Sequence, residues 1–314
     1  MLLNKSKLAA AFDTAKAAWN NALKSAQATW KEWAGSLTSD TSSESYHWAD
    51  LLVVIRKWVG PRVIGNAKGQ KWVVENEPYE GTFGLDGQDI NDDKLGLLKP
   101  QTDSLAAAAS YHPENILAAV VLAGFSTACY DGQYFFDTDH PSLADDGTTF
   151  SNLSTDPFSY DAMLTGDKQR FTMKNAQGNR IPLEPLAVLT GSKYIHKAQD
   201  FFDATIKPGT MNDVNQLKGK YKPFLCDQFE GAYEEYFVLL FQIPGNAIRA
   251  FMYQERSTPE LVCTAMNMVG NDLGIPGQDV LQFMEDKVLF GTDFRGAGTF
   301  TLPVLAYGST GTGA

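Results

Sequence analysis

The chain has 314 residues, 44% apolar and 20% charged, enough for one large or two medium cores of ordinary globular composition. Its net charge of -11 argues against a nucleic-acid reader, which needs basic clusters to neutralise phosphate. No run approaches the roughly 18 apolar residues of a membrane span, and the N-terminus lacks a short apolar core before a cleavage site, so neither a membrane segment nor a secretory signal is expected.

Taken in chain order, residues 5–34 carry Leu8, Phe12, Ala15, Trp19, Leu23, Ala26, Trp30 and Trp33 at alternating spacings of three and four. This is the pattern of one amphipathic helix with a single apolar stripe. Three tryptophans on one stripe require docking, either on the chain's own body or on another copy. Gly35 ends the helix, and Ser36 to Ser45 reads as a polar Ser/Thr tether. Tyr46 to Trp58 is apolar enough for core, and Gly60-Pro61 breaks it. From Val63 to Ile90 two extended segments, rich in Gly and polar residues, predict a long irregular hairpin that has to lie across something else.

Asp103 is the expected N-cap of an Ala-rich helix reaching Ala128, kinked or split in two at Pro113. Beyond Pro141 the pattern predicts a helix over 156–174, a buried strand over Pro182–Gly191 and an amphipathic helix over 192–205. Strands follow at 224–229, 236–243, 247–253, 287–290 and 299–306, with Gly291 to Gly298 between the last two. The GSTGTGA tail reads as disordered.

Few residues suggest chemistry. Gly219-Lys220 lacks the following Ser or Thr of a phosphate loop, and no GxGxxG or G-x-S-x-G is present. Cys129, Cys226 and Cys263 are too far apart for a zinc knuckle or a disulfide framework and are expected as buried thiols. Asp131, Asp137, Asp139 and His140 lie close in sequence, and Asp137, Asp139 and His140 offer the best set for a divalent metal in a hydrolase. Pro141 occupies a calcium-loop ligand position, however, so an Asp-rich turn capping its own backbone is the plainer reading. No catalytic residue, cofactor site or metal site is therefore assigned.

Several motifs in order resemble the major head proteins of Mu-like bacteriophages: Trp58, Gly60, Pro61 and Arg62; Asn76, Pro78, Tyr79 and Glu80; Asp92 to Gly96; His112-Pro113; Asp131-Gly132-Gln133 through Asp139-His140-Pro141 with Ser151-Asn152-Leu153; Pro185 to Val188; and Phe290-Gly291 with Arg295-Gly296. The resemblance implies an α+β, Hong Kong 97-type capsid fold. Its parts would be an N-terminal arm (1–45), a peripheral domain (46–184) with an extended loop (63–90) and a spine helix (103–127), an axial domain (185–285), and return strands with a tail (286–314).

It also implies a non-enzymatic shell subunit of the virion, made in the host cytoplasm. Its partner would be itself, as hexamers and pentamers, together with portal, scaffold and decoration proteins. DNA would be enclosed without sequence-specific contact, and no membrane is involved. Inter-subunit contacts are expected through Phe12, Trp19, Trp30 and Trp33 of the arm and Trp72, Tyr79 and Phe83 of the loop. The alternatives are the metal-dependent hydrolase and a cellular cargo compartment built on the same fold.

Overall fold

A computed structural model describes residues 5–26, 28–48, 71–92, 95–143, 147–175, 178–210, 212–263 and 287–313. In chain order, the first elements are helices α1 (Lys5–Ser25) and α2 (Trp30–Trp33) and strands β1 (Gly35–Thr38), β2 (Ser43–Tyr46), β3 (Trp72–Glu75) and β4 (Glu77–Asp86). Next come α3 (Gly87–Asn91), the long α4 (Leu98–Ala123), the short strands β5 (His140–Pro141), β6 (Thr149–Phe150) and β7 (Leu153–Ser154), and α5 (Tyr160–Gln169). The last part holds β8 (Glu184–Thr190), α6 (Ile195–Asp203), β9 (Lys222–Leu225), β10 (Phe237–Gln242), β11 (Phe251–Cys263), β12 (Lys287–Phe300) and β13 (Ala306–Ser309). The strands form a four-stranded sheet in the order β1-β11-β12-β4, a five-stranded sheet in the order β7-β13-β10-β8-β9, and the pairs β2-β3 and β5-β6.

The chain divides into two compact units. The first comprises Met1–Ala28, Asn76–Glu114 and Glu255–Gly296. Its core joins Ala11, Phe12, Ala15 and Trp19 of α1 to Leu85, Ile90, Leu98, Ala106, Phe290 and Phe294. Burying a Trp side chain removes about 150–250 Å² from water, on the order of 4–6 kcal/mol as an upper bound. The apolar stripe of α1 therefore docks within its own unit. The second unit comprises Thr29–Glu75, Asn115–Gln254 and Ala297–Ala314. At its centre, Phe237–Phe241 of β10 are fully buried, which is why this stretch is continuously apolar rather than alternating. β8 runs parallel to β9, and α6, which buries Ala198, Phe201 and Phe202, is the crossover between them.

The structure corrects several expectations. The helix expected over 5–34 is two helices. Ser25 turns its hydroxyl back to the carbonyl of Ala22, and Ser and Thr are weak helix formers, so α1 ends before Thr29. Trp30 and Trp33 then belong to the second unit, where Trp30 meets the ring of Tyr253 edge-on at 5.6 Å. The Ser/Thr tether is ordered. Ser39 and Thr41 donate to the Glu44 carboxylate in a tight turn between β1 and β2, and β2 pairs antiparallel with β3. Polar composition concealed a turn that satisfies itself locally.

The extended segments at 71–86 do not pair with each other: β3 pairs with β2, and β4 pairs with β12 from Glu77↔Gly296 to Asp86↔Lys287. The chain then turns into α3 at 87–91, where extended structure was expected. Asp103 lies inside α4, paired with Lys99 at 2.6 Å, and does not cap it. Pro113 is accommodated within one continuous helix. Gly291 to Gly298 is the middle of β12, because pairing with β4 supplies what its side chains cannot.

The tail is packed rather than disordered. β13 lies between β10 and β7, and the Thr310 and Gly313 amides donate to the carbonyls of Ser154 and Thr155. Gly311, at φ +66, would place a Cβ 2.4 Å from the Glu235 carbonyl oxygen, so glycine here reflects close packing. The Trp58-Gly60-Pro61-Arg62 motif, residues 63–70 of the expected loop and residues 264–285 of the expected axial domain lie outside the described residues. Among the described residues no helix is long and apolar enough to cross a membrane.

Candidate functional site

The segment running from the end of α4 to β7 folds into a polar knot. The Asp131 carboxylate accepts from the Cys129 thiol (2.9 Å), the Gln133 amide (3.1 Å) and His140 Nδ1 (2.8 Å). The His140 ring is fully buried and stacks on Phe150 at 5.0 Å. Burial by itself would raise the Asp131 carboxyl, but the hydrogen bonds from His140 and Cys129 outweigh it and hold the group below the usual carboxylate range. Burial, then the bond to Asp131, pushes the Cys129 thiol well above its ordinary value, so the sulfur is a protonated donor.

Asp137, Asp139 and His140 do not converge. The Asp137 oxygens accept from the backbone amides of Tyr134 and Thr138, Asp139 is exposed, and His140 faces Asp131. Among the described residues the group with metal-ligand chemistry is instead Cys129, Asp131 and His140, whose donor atoms lie within 4.8 Å of one another. Each already has a hydrogen-bond partner inside the group.

Asn152, fully buried, completes the knot. It accepts from the Asp137 amide (2.9 Å) and donates to the carbonyls of Phe135 (2.8 Å) and Pro303 (3.1 Å). Cys129 was missed as a member because its sequence signal is only that of an isolated apolar thiol.

We expect Asp131→Asn to lower stability by about 2 kcal/mol at neutral pH, since a hydrogen bond to a charged group contributes ~1.5–3 kcal/mol. The native carboxyl is depressed, so its contribution is present above the unfolded-state value and fades as pH falls through the folded one. Thermal melts of the two proteins should therefore converge in acid. Equal melting at pH 7 would remove the knot's stabilising role.

On the strand pair β4–β12, register partners are also ring partners. Phe83 stacks on Phe290 (5.4 Å, 9°), and Tyr79 meets Phe294 at 5.7 Å. His112 of α4 presses edge-on against Tyr79 at 4.3 Å, and burial lowers its pKa. Tyr79 and Phe83 are half-buried, as is Trp72, whose indole N–H donates to Thr299 Oγ1 at 3.0 Å. By contrast Phe12, Trp19, Trp30 and Trp33 are buried by their own chain.

Residues 8–171 match the model of the family described as Mu-like prophage major head subunit gpT. The Mu-like prophage FluMu major head subunit of Haemophilus influenzae is 33% identical over 159 residues, 50% of this chain and 49% of that one. The major capsid protein of Escherichia phage Mu is 29% identical over 155 residues, 49% and 51% of the two chains. The chain thus spans about half the length of the curated relatives it matches. Among solved structures, a procapsid chain of bacteriophage JBD30 superposes with a TM-score of 0.61 at 23% identity, over 98% of this chain and 76% of that one. A chain of the bacteriophage PhiM1 mature capsid gives 0.50 at 9% identity, over 90% and 86%. The fold is the α+β, Hong Kong 97-type fold of phage capsid proteins.

Proposed function

Because the chain belongs to the Mu-like prophage major head subunit gpT family, we propose that it is a major capsid protein, structural rather than catalytic. Its copies form hexamers and pentamers that close into the icosahedral head of a tailed phage around double-stranded DNA. The observation that carries this reading is agreement at two levels: a family match over 8–171 and a capsid fold over 98% of the chain. The hydrolase alternative loses support because its three side chains do not converge. The cargo compartment loses support because the family matched is one of phage heads.

In this reading the chain resides in the virion after synthesis in the host cytoplasm, with portal, scaffold and decoration proteins as further partners. The arm is 1–45, and the loop around β3–β4 belongs to the peripheral domain of 46–184 with α4 as its spine. The axial domain is 185–285, and 286–314 returns to the peripheral domain. Among the seven expected contact residues, Trp72, Tyr79 and Phe83 are the ones with surface left for a neighbour. Phe12, Trp19, Trp30 and Trp33 reach one only if the arm leaves its present packing. The charge of -11 keeps the enclosing wall from adhering to DNA phosphate.

Copies of like net charge repel, and at -11 per copy this outweighs any local opposite-charge contact, so assembly is expected to strengthen as salt rises from low to moderate, where screening acts within ~10 Å at 0.1 M. Light scattering by the purified chain checks this. Scattering that falls over that range contradicts it.

A further inference from the structure

Association of identical acidic chains is favoured when the charge is unevenly spread, so that a basic patch on one copy meets an acidic one on the next. Such segregation exists here. From Lys168 to Arg180 the chain carries Lys168, Arg170, Lys174 and Arg180 and no acidic residue. The segment folds back at a β-bridge between Lys174 and Arg180, placing those two cations opposite each other. The guanidinium groups of Arg170 and Arg180 both stack on Phe171, at 3.9 and 4.2 Å. Arg170 is anchored by the Asp167 carboxylate (2.8 Å) and the Leu183 carbonyl (2.9 Å). Lys168, Lys174 and Arg180 are exposed and form no ion pair among the described residues. Arg170, Phe171 and Arg180 thus hold one another in place, and those side chains have less ordering entropy to lose on binding.

The opposite pattern occupies β4 and α3. From Glu77 to Asp92 the chain carries Glu77, Glu80, Asp86, Asp89 and Asp92 and no cation. Glu80 is the direct register partner of Asp293 on β12, and both are exposed. Like charges directly opposite across strands are destabilising, and Arg295 is their diagonal neighbour.

We infer that the basic surface formed by Lys168, Lys174 and Arg180 docks a second copy of this chain, receiving the acidic β4–β12 face around Glu80 and Asp293 of that copy. The inference rests on the capsid reading and adds to it a surface and its complement.

The test is a charge exchange in the 314-residue chain. Lys174→Glu with Arg180→Glu is one variant, Glu80→Lys with Asp293→Lys the other, and the four changes together restore complementarity. Lys168→Glu with Lys174→Glu serves as a second basic-side variant that leaves the Phe171 stack intact. Circular dichroism selects variants that fold. Each single-sided variant should raise the concentration at which particles form by about tenfold, as expected for two rim contacts turned repulsive. The combined variant should return it to within about threefold of the wild type.

Single-sided variants that assemble normally overturn the docking surface while leaving the capsid reading intact. Impaired variants that the combination does not rescue overturn the pairing. If duplex DNA is then retained on filters by the wild type but not by the basic-side variants, the turn is a nucleic-acid contact instead. A wild type that forms no oligomers fails the capsid reading itself, and this inference with it.

Discussion

Replacing Gly191 with alanine is expected to cost about 3 kcal/mol or more and to leave much of the chain insoluble. Gly191 follows β8, the strand beside the buried β10, and packs against the turn Cys226–Phe229. A Cβ there would lie 2.1 Å from the Phe229 carbonyl oxygen and 3.1 Å from its carbon. The obstacle is backbone, and Phe229 is itself fully buried, so no side-chain rotation relieves it. Overpacking a core costs ~1–3 kcal/mol when neighbours can yield, and more when they cannot. The adjacent Ser192 is exposed, and Ser192→Ala should stay within about 0.5 kcal/mol of the wild type. Thermal denaturation of the two variants side by side tests this. Similar melting would mean that the loop moves away from β8 at little cost.

Asp167→Ala should be comparably damaging, by a different route. This nearly fully buried carboxylate of α5 accepts from Arg170 Nε and Lys220 Nζ, each at 2.8 Å, and from the Tyr221 hydroxyl at 2.9 Å. Removing it leaves two cations and a buried phenol without their partner. Breaking a buried pair costs about 3–5 kcal/mol, and because Lys220 can turn to water the lower end is expected here. The effect carries a pH signature. Burial raises the Asp167 carboxyl, but the bonds from Lys220, Arg170 and Tyr221 outweigh it and bring the group below the usual range. Its contribution is therefore full above the unfolded-state value of about 3.9 and lost as pH falls through the folded value. Denaturation curves of wild type and variant should lie far apart at pH 7 and approach each other below pH ~4. A gap that persists unchanged in acid would assign the loss to packing alone.

Where burial speaks through periodicity, the sequence was legible. The α1 stripe through Phe12, Ala15 and Trp19, the apolar run of β10 and the amphipathic α6 all appear where expected. The ordered motif from Asp131 to Asn152 was recognisable as well, and its residues form one hydrogen-bonded knot. What failed was composition read as a tether, as a break between strands, or, in the tail, as disorder. The Ser/Thr stretch before β2, the glycines of β12 and the Gly-rich tail are all held by main-chain bonds to distant segments. Such partners leave little local trace, because backbone pairing is nearly blind to side chains. The thiol of Cys129 and the ring of His112 were likewise illegible, since their neighbours come from separate stretches of chain.

We propose that this chain builds a closed shell from copies of itself. Electron microscopy of the purified 314-residue chain, concentrated at moderate salt, decides this. Hollow particles with icosahedral symmetry, in which hexameric and pentameric clusters of this chain tile the wall, are the expected result. A protein that remains monomeric at every concentration and salt, with its two folded units intact, would contradict it.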